Sequence, residues 1–119
     1  MANDIVNYQD VITDIKGIIT SGREVAYNAA YKAMVLTYWH IGKRIVEQEQ
    51  AGKERAKYGQ ALIEALADEL TKEYGRSFSN RNLQYFRKFY LAFPDEQIVN
   101  TSVHKLNWTQ LRAHLREPD

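Results

Sequence analysis

The chain has 119 residues, a length that suggests one domain, and its 16 Lys and Arg against 15 Asp and Glu leave a net charge of +1. It has no cysteine, which excludes a disulfide framework, a thiolate metal site and a cysteine nucleophile and fits a reducing compartment. Apolar runs are only a few residues long, too short for a bilayer. The start, Met1-Ala2-Asn3-Asp4, lacks the basic stretch and apolar core of a signal peptide. The expectation is a soluble, cytoplasmic protein, and six glycines and two prolines favour long helices over a turn-rich β fold.

The first predicted helix covers residues 4–21, where Val11, Ile12, Ile15, Ile18 and Ile19 recur at spacings of three and four. Asp4 is a candidate cap, and Asp10 and Asp14 suit the early turns through the helix dipole. Ser21-Gly22 marks either a break or a glycine inside a continuous rod. Residues 23–50 form the longest helical candidate. Its apolar positions fall on three sides: Val25, Ala29, Ala33 and Leu36; Val35, Trp39 and Val46; Met34, Tyr38, Ile41 and Ile45. A helix so apolar all round is central in its domain or partly covered by a second subunit, so a homodimer is expected. Ala51-Gly52-Lys53 reads as a stop.

Residues 55–74 form the next predicted helix, with Tyr58, Leu62, Leu66, Leu70 and Tyr74 stepping by four. Gly75 ends it and Arg76-Ser77-Phe78 is a short turn. Ser79 caps a further helix that runs to about Ala92 and stops before Pro94. Residues 95–106 read as irregular or extended. Asn107 caps a last helix carrying Trp108, Leu111 and Leu115, and Trp108 is expected to anchor it to the core. That helix is cut short at Glu117-Pro118-Asp119, as in the front part of a longer protein.

The near-zero net charge conceals an asymmetry. Residues 1–71 hold 8 basic and 10 acidic side chains, and residues 72–119 hold 8 and 5. Within 72–93, Lys72, Arg76, Arg81, Arg87 and Lys88 face only Glu73, for a local +4. This charge sits on a helix, tight turn and capped helix over residues 62–93, the layout of a helix-turn-helix. On a helical wheel Leu83, Phe86, Tyr90 and Phe93 form a core face, while Arg81, Gln84, Tyr85 and Lys88 gather on the far, exposed side. Arg76, Ser79 and Asn80 lie at the helix start, where amides and dipole favour phosphate. Arginine, asparagine and glutamine can read base edges, while lysine and serine position the backbone. The candidate DNA-binding set is therefore Arg76, Ser79, Asn80, Arg81, Gln84, Tyr85, Arg87 and Lys88, with Arg87 near the core edge and able instead to brace the helix. An amphipathic helix facing water is the plain alternative.

Five sequence blocks resemble the N-terminal domain of the YhcG-type family. They are Tyr38-Trp39-His40-Ile41-Gly42-Lys43-Arg44-Ile45, Tyr58-Gly59, Tyr74 to Leu83, Phe86-Arg87-Lys88-Phe89-Tyr90, and Leu106-Asn107-Trp108-Thr109. The resemblance runs from about Tyr8 to Arg116. It implies an all-α helical domain that binds DNA and delivers a C-terminal PD-(D/E)xK nuclease-like domain absent from this chain, so no catalytic site is expected. The family more often carries glutamate at the position of His40, which is given no role. The alternative function is a helical dimerisation or protein-interaction module.

Other constellations are weaker. Glu47, Glu49 and Glu54 resemble a metal cluster, but positions 47 and 49 point to different helix faces, so a solvated helix end is the reading. His40, His104 and His114 lack ligand spacing. Tyr27, Tyr31 and Tyr38 share a surface with Trp39 that suits aromatic packing between helices more than base stacking. No metal, cofactor, membrane or small-molecule substrate is expected.

Overall fold

The computed structural model describes residues 2–51, 55–105 and 107–115, with side chains described from Tyr8 onward except at 55, 56, 104 and 114. The described residues form helices and short connections, with no strand. The helices are α1 (Ala2–Gln50), α2 (Arg55–Tyr74), α3 (Asn80–Ala92), α4 (Glu96–Ser102) and α5 (Trp108–Leu115). The chain divides into two compact units, Met1–Ala33 and Met34–Asp119.

The described residues of the first unit all belong to α1. The two helices expected at 4–21 and 23–50 are one, and Gly22 is tolerated inside it. Every described side chain from Tyr8 to Ala30 is exposed, including the isoleucines of the predicted apolar face. The Asp4 side chain and the expected stop at Gly52 lie outside the described residues. At the other end, the Ala51 amide donates to the Gln48 carbonyl at 3.1 Å, a tightened last turn.

In the second unit the same helix behaves as a core element. Val35, Trp39, Ile45 and Val46 are buried, which fits the expectation of a central helix for this stretch. Ile45 joins Ile63 of α2 and Leu83 and Phe86 of α3, with Tyr38, Leu66, Phe78 and Trp108 packed around them. Tyr38 stacks on Phe86 with centroids 4.2 Å apart and planes 10° from parallel. Trp108 completes an aromatic cluster, 5.1 Å from Tyr38, 5.9 Å from Phe86 and 5.7 Å from Phe89, so it anchors α5 as predicted. The Trp39 indole donates to the Phe93 carbonyl at 2.7 Å, which satisfies its one polar atom inside the core. Burying each of these large side chains contributes about 1.5–3 kcal/mol.

Two glycines set how α3 is seated. A Cβ on Gly42 would overlap the Phe86 carbonyl, so α1 and α3 approach as closely as they do only because position 42 has no side chain. Gly75 has φ +92°, a left-handed conformation that glycine adopts without strain, and its amide donates to the Thr71 carbonyl at 3.0 Å. This ends α2 where the sequence places its end.

The stretch 95–106, expected to be irregular, is a correction. It forms α4 and a single 3₁₀ turn at Val103–Lys105. The Asp95 carboxylate accepts from the amides of Gln97 at 2.9 Å and Ile98 at 3.4 Å, capping a helix whose Val99 is buried, as is Val103 at the start of the 3₁₀ turn. With only two core residues one turn apart, the segment shows too little periodicity to be read as a helix in sequence.

Candidate nucleic-acid interface

The interface is built on α2, the turn and α3. After Gly75, a one-turn 3₁₀ helix covers Arg76–Phe78. Ser79 then caps α3, its hydroxyl accepting from the Asn82 amide at 3.3 Å. The Asn82 side chain donates back to the Ser77 carbonyl at 3.2 Å, tying the turn to the helix it introduces. The helix, tight turn and capped helix read from the sequence are therefore present, with Arg76 exposed on the turn. α3 ends at Phe93, whose amide donates to the Phe89 carbonyl, immediately before Pro94.

The eight predicted residues, six of them on α3, do not form one surface. Asn80, Gln84 and Arg87 line a 460 Å³ cleft with Glu49 of α1 and Gly59, Gln60, Ile63 and Glu64 of α2. Gln84 donates to the Asn80 side-chain oxygen at 2.8 Å, so these two amides hold each other. Arg87 clasps Glu49: its Nε donates to Oε2 at 2.8 Å and its Nη2 to Oε1 at 2.6 Å. Such a fork is a strong, directional pair, and Glu49 is only 12% exposed. Arg87 thus braces α3 against α1, the second of the two roles open to it in sequence. Glu49, read as part of a solvated helix end, is a structural carboxylate instead. Gly59 lies beside it, with the Glu49 carboxylate at 3.0 Å from where a Cβ would stand. Glu54 lies outside the described residues.

The opposite flank of α3 has a different character. Tyr85, expected on the exposed side, is 6% exposed. The correction comes from α5, which packs beside this flank and which a wheel of α3 alone does not reveal. Arg112 of α5 lies over the Tyr85 ring at 5.1 Å, and Arg81 lies over the same ring at 5.9 Å. Arg81 Nε also donates to the Tyr85 hydroxyl at 3.2 Å. Arg81, Tyr85 and Arg112 line a 270 Å³ hollow with Thr109 and Ala113. Among the described residues, neither Arg81 nor Arg112 forms an ion pair. Two guanidinium groups are thereby held within 6 Å of one ring, fixed by cation–π contact rather than neutralised. Arg112 was missed in the sequence because it lies 31 positions beyond Arg81, outside the helix-turn-helix window. Ser79 and Lys88 are half-buried.

The α3 core face is Leu83, Phe86 and Phe89, with Tyr90 and Phe93 half-buried at its edge rather than central. Of the surface shared by Tyr27, Tyr31, Tyr38 and Trp39, Tyr38 and Trp39 pack in the bundle, whereas Tyr27 is 73% exposed. His40 meets Glu96 at 3.2 Å on the surface, and the side chains of His104 and His114 lie outside the described residues.

The family described as the DUF1016 N-terminal domain matches residues 14–119. The chain belongs to that family. A relative from Escherichia coli (strain K12), named "Putative nuclease YhcG", is 40% identical over 94 residues, which cover 79% of this chain and 25% of the relative. The chain therefore spans about a quarter of the length of that relative. No solved structure matches this chain. Within the DUF1016 N-terminal domain, several residues of the motif blocks now have physical roles. Gly42 admits the α3 backbone, Gly59 sits against Glu49, Gly75 turns the chain, and Arg87 holds Glu49. Among the described residues, no helix is long and apolar enough to cross a membrane.

Proposed function

We propose that this domain binds DNA and brings a nuclease domain, carried elsewhere in the full-length protein, to its substrate. The domain itself contributes binding and no catalytic group. The observation that carries the reading is the pair Arg81 and Arg112, charged, without acidic partners among the described residues, and fixed against Tyr85 beside a capped helix. Arg76 adds an exposed positive charge on the turn that precedes α3. Phosphate attraction needs cations whose charge is not already spent, and each phosphate neutralised releases counterions. The nuclease named among the relatives supports a nucleic-acid substrate.

In this reading Arg76, Arg81, Lys88 and Arg112 contact phosphates, while Ser79, Asn80 and Gln84 lie near the start of α3, the part of a recognition helix that approaches base edges. Arg87 acts on binding only by holding α3 in place. The test is a fluorescence titration of duplex DNA at two salt concentrations, with Arg81→Ala/Lys88→Ala alongside. Binding should weaken steeply with salt, and the double variant should bind more weakly with a shallower salt dependence. No binding at low salt, or a double variant indistinguishable from the parent, would overturn the assignment.

A further inference from the structure

α1 carries a long apolar face that none of the described residues of its own unit covers. Tyr8, Val11, Ile12, Ile15, Ile18, Ile19 and Val25 are each between 45% and 71% exposed. At 100° per residue these seven, with Gly22, Ala26 and Ala29, fill an arc of about 140°. The charged residues of the same stretch, Asp10, Asp14, Lys16, Arg23 and Glu24, all fall outside that arc. Together the seven side chains leave on the order of 700 Å² open, more than the roughly 300–600 Å² of the largest apolar patch on an ordinary monomer. A stable interface buries about 800 Å² per partner, so one copy of this face against another reaches the size of a specific dimer.

We propose that residues 8–29 of α1 pair with the same residues of a second copy, the two helices running antiparallel. The order of side-chain sizes supports this occupant. The large residues lie in the first half of the face and the small ones, Gly22, Ala26 and Ala29, in the second. Reversing one copy brings to the same level Tyr8 and Ala29, Val11 and Ala26, Ile12 and Val25, Ile15 and Gly22, and Ile18 and Ile19. Each level then holds two residues of the face, and in the first four a larger side chain shares its level with a smaller one. The helix axes then keep an even separation, which a parallel pair would not allow, with Tyr8 on Tyr8 at one end and Gly22 on Gly22 further along.

Gly22 adds an independent observation. A Cβ there would meet nothing within 4 Å, so among the described residues nothing calls for a glycine in mid-helix. Glycine weakens a helix at such a position, and a closely approaching partner is a usual reason for keeping one. In the antiparallel pair the Ile15 side chain of the other copy occupies that space. Lys16 and Arg23 line one edge of the arc and meet their counterparts there, so salt tightens the association by screening them.

Analytical ultracentrifugation of the 119-residue chain tests this. A dimer is expected, tighter at higher salt. Ile15→Glu/Ile19→Glu should sediment as a monomer with unchanged helix content. Gly22→Leu separates folding from pairing, because it improves the helix and meets open space within its own chain. It should nevertheless weaken dimerisation at least tenfold. Because the chain has no cysteine, orientation can be read with a short thiol crosslinker. Tyr8→Cys mixed with Ala29→Cys should crosslink, and Tyr8→Cys alone should not. A chain that stays monomeric into the high micromolar range, a dimer untouched by these variants, or Tyr8→Cys crosslinking to itself would overturn the proposal.

Discussion

The two flanks of α3 look alike in sequence. Each carries an arginine and a residue able to hydrogen-bond, one helical turn apart, and either suits a recognition helix. In the structure, Arg87 on one flank is spent on Glu49, while Arg81 on the other stands with Arg112 around Tyr85 and keeps its charge. The difference comes entirely from what packs alongside: the end of α1 offers a carboxylate, and α5 offers a second cation. A basic side chain on a polar helix face is therefore a binding candidate only once its neighbours from other helices are known.

The seat that both flanks share is the point most sensitive to substitution. Gly42→Ala should cost about 3 kcal/mol in denaturant unfolding, because the new methyl meets the Phe86 backbone carbonyl rather than a side chain able to move aside. Helix propensity alone predicts the opposite sign, a gain of about 1 kcal/mol. An unfolding midpoint at or above that of the parent would show that α3 is not seated as described.

Next in size is the Arg87 flank. Glu49→Ala removes the carboxylate of a mostly buried, doubly hydrogen-bonded pair from beside a guanidinium that is only one-third exposed. The expected loss is about 2 kcal/mol, between the value of a charged hydrogen bond and that of breaking a fully buried pair. A loss below about 0.5 kcal/mol would class the pair with ordinary surface ion pairs and remove the contrast. Smallest is Tyr85→Phe, which deletes only the hydroxyl that accepts from Arg81. Its expected cost is at most about 1 kcal/mol, with the ring and both cation–π interactions retained. Thermal unfolding of the variant measures it, and an unchanged midpoint would mean that the Arg81 contact adds nothing to stability.

Much of this fold was legible because its signals are local. Gly75, Ser79, Pro94 and Asn107 each act within a turn of where they stand, and the boundaries they mark for α2, α3 and α5 agree with the structure. The helix α4 was not legible, since its cap at Asp95 precedes only two core valines. The site was half legible for the same reason. The turn and cap depend on residues 75–82, whereas the burial of Tyr85 and the roles of Glu49 and Arg112 depend on which helices pack together. Two glycines make the point within α1 alone: Gly42 lies under the Phe86 carbonyl and Gly22 in open space, and no local pattern distinguishes them.

The most direct test of the account is the salt dependence of duplex DNA binding for three proteins: the parent, Arg81→Ala/Arg112→Ala and Arg87→Ala, each first shown to be folded. The slope of log affinity against log salt should become shallower by about 2 for the double variant, about one unit for each phosphate left without its arginine. Arg87→Ala should leave the slope unchanged. An unaltered slope in the double variant, or an equal flattening by Arg87→Ala, would contradict the division of α3 into a bracing flank and a binding flank.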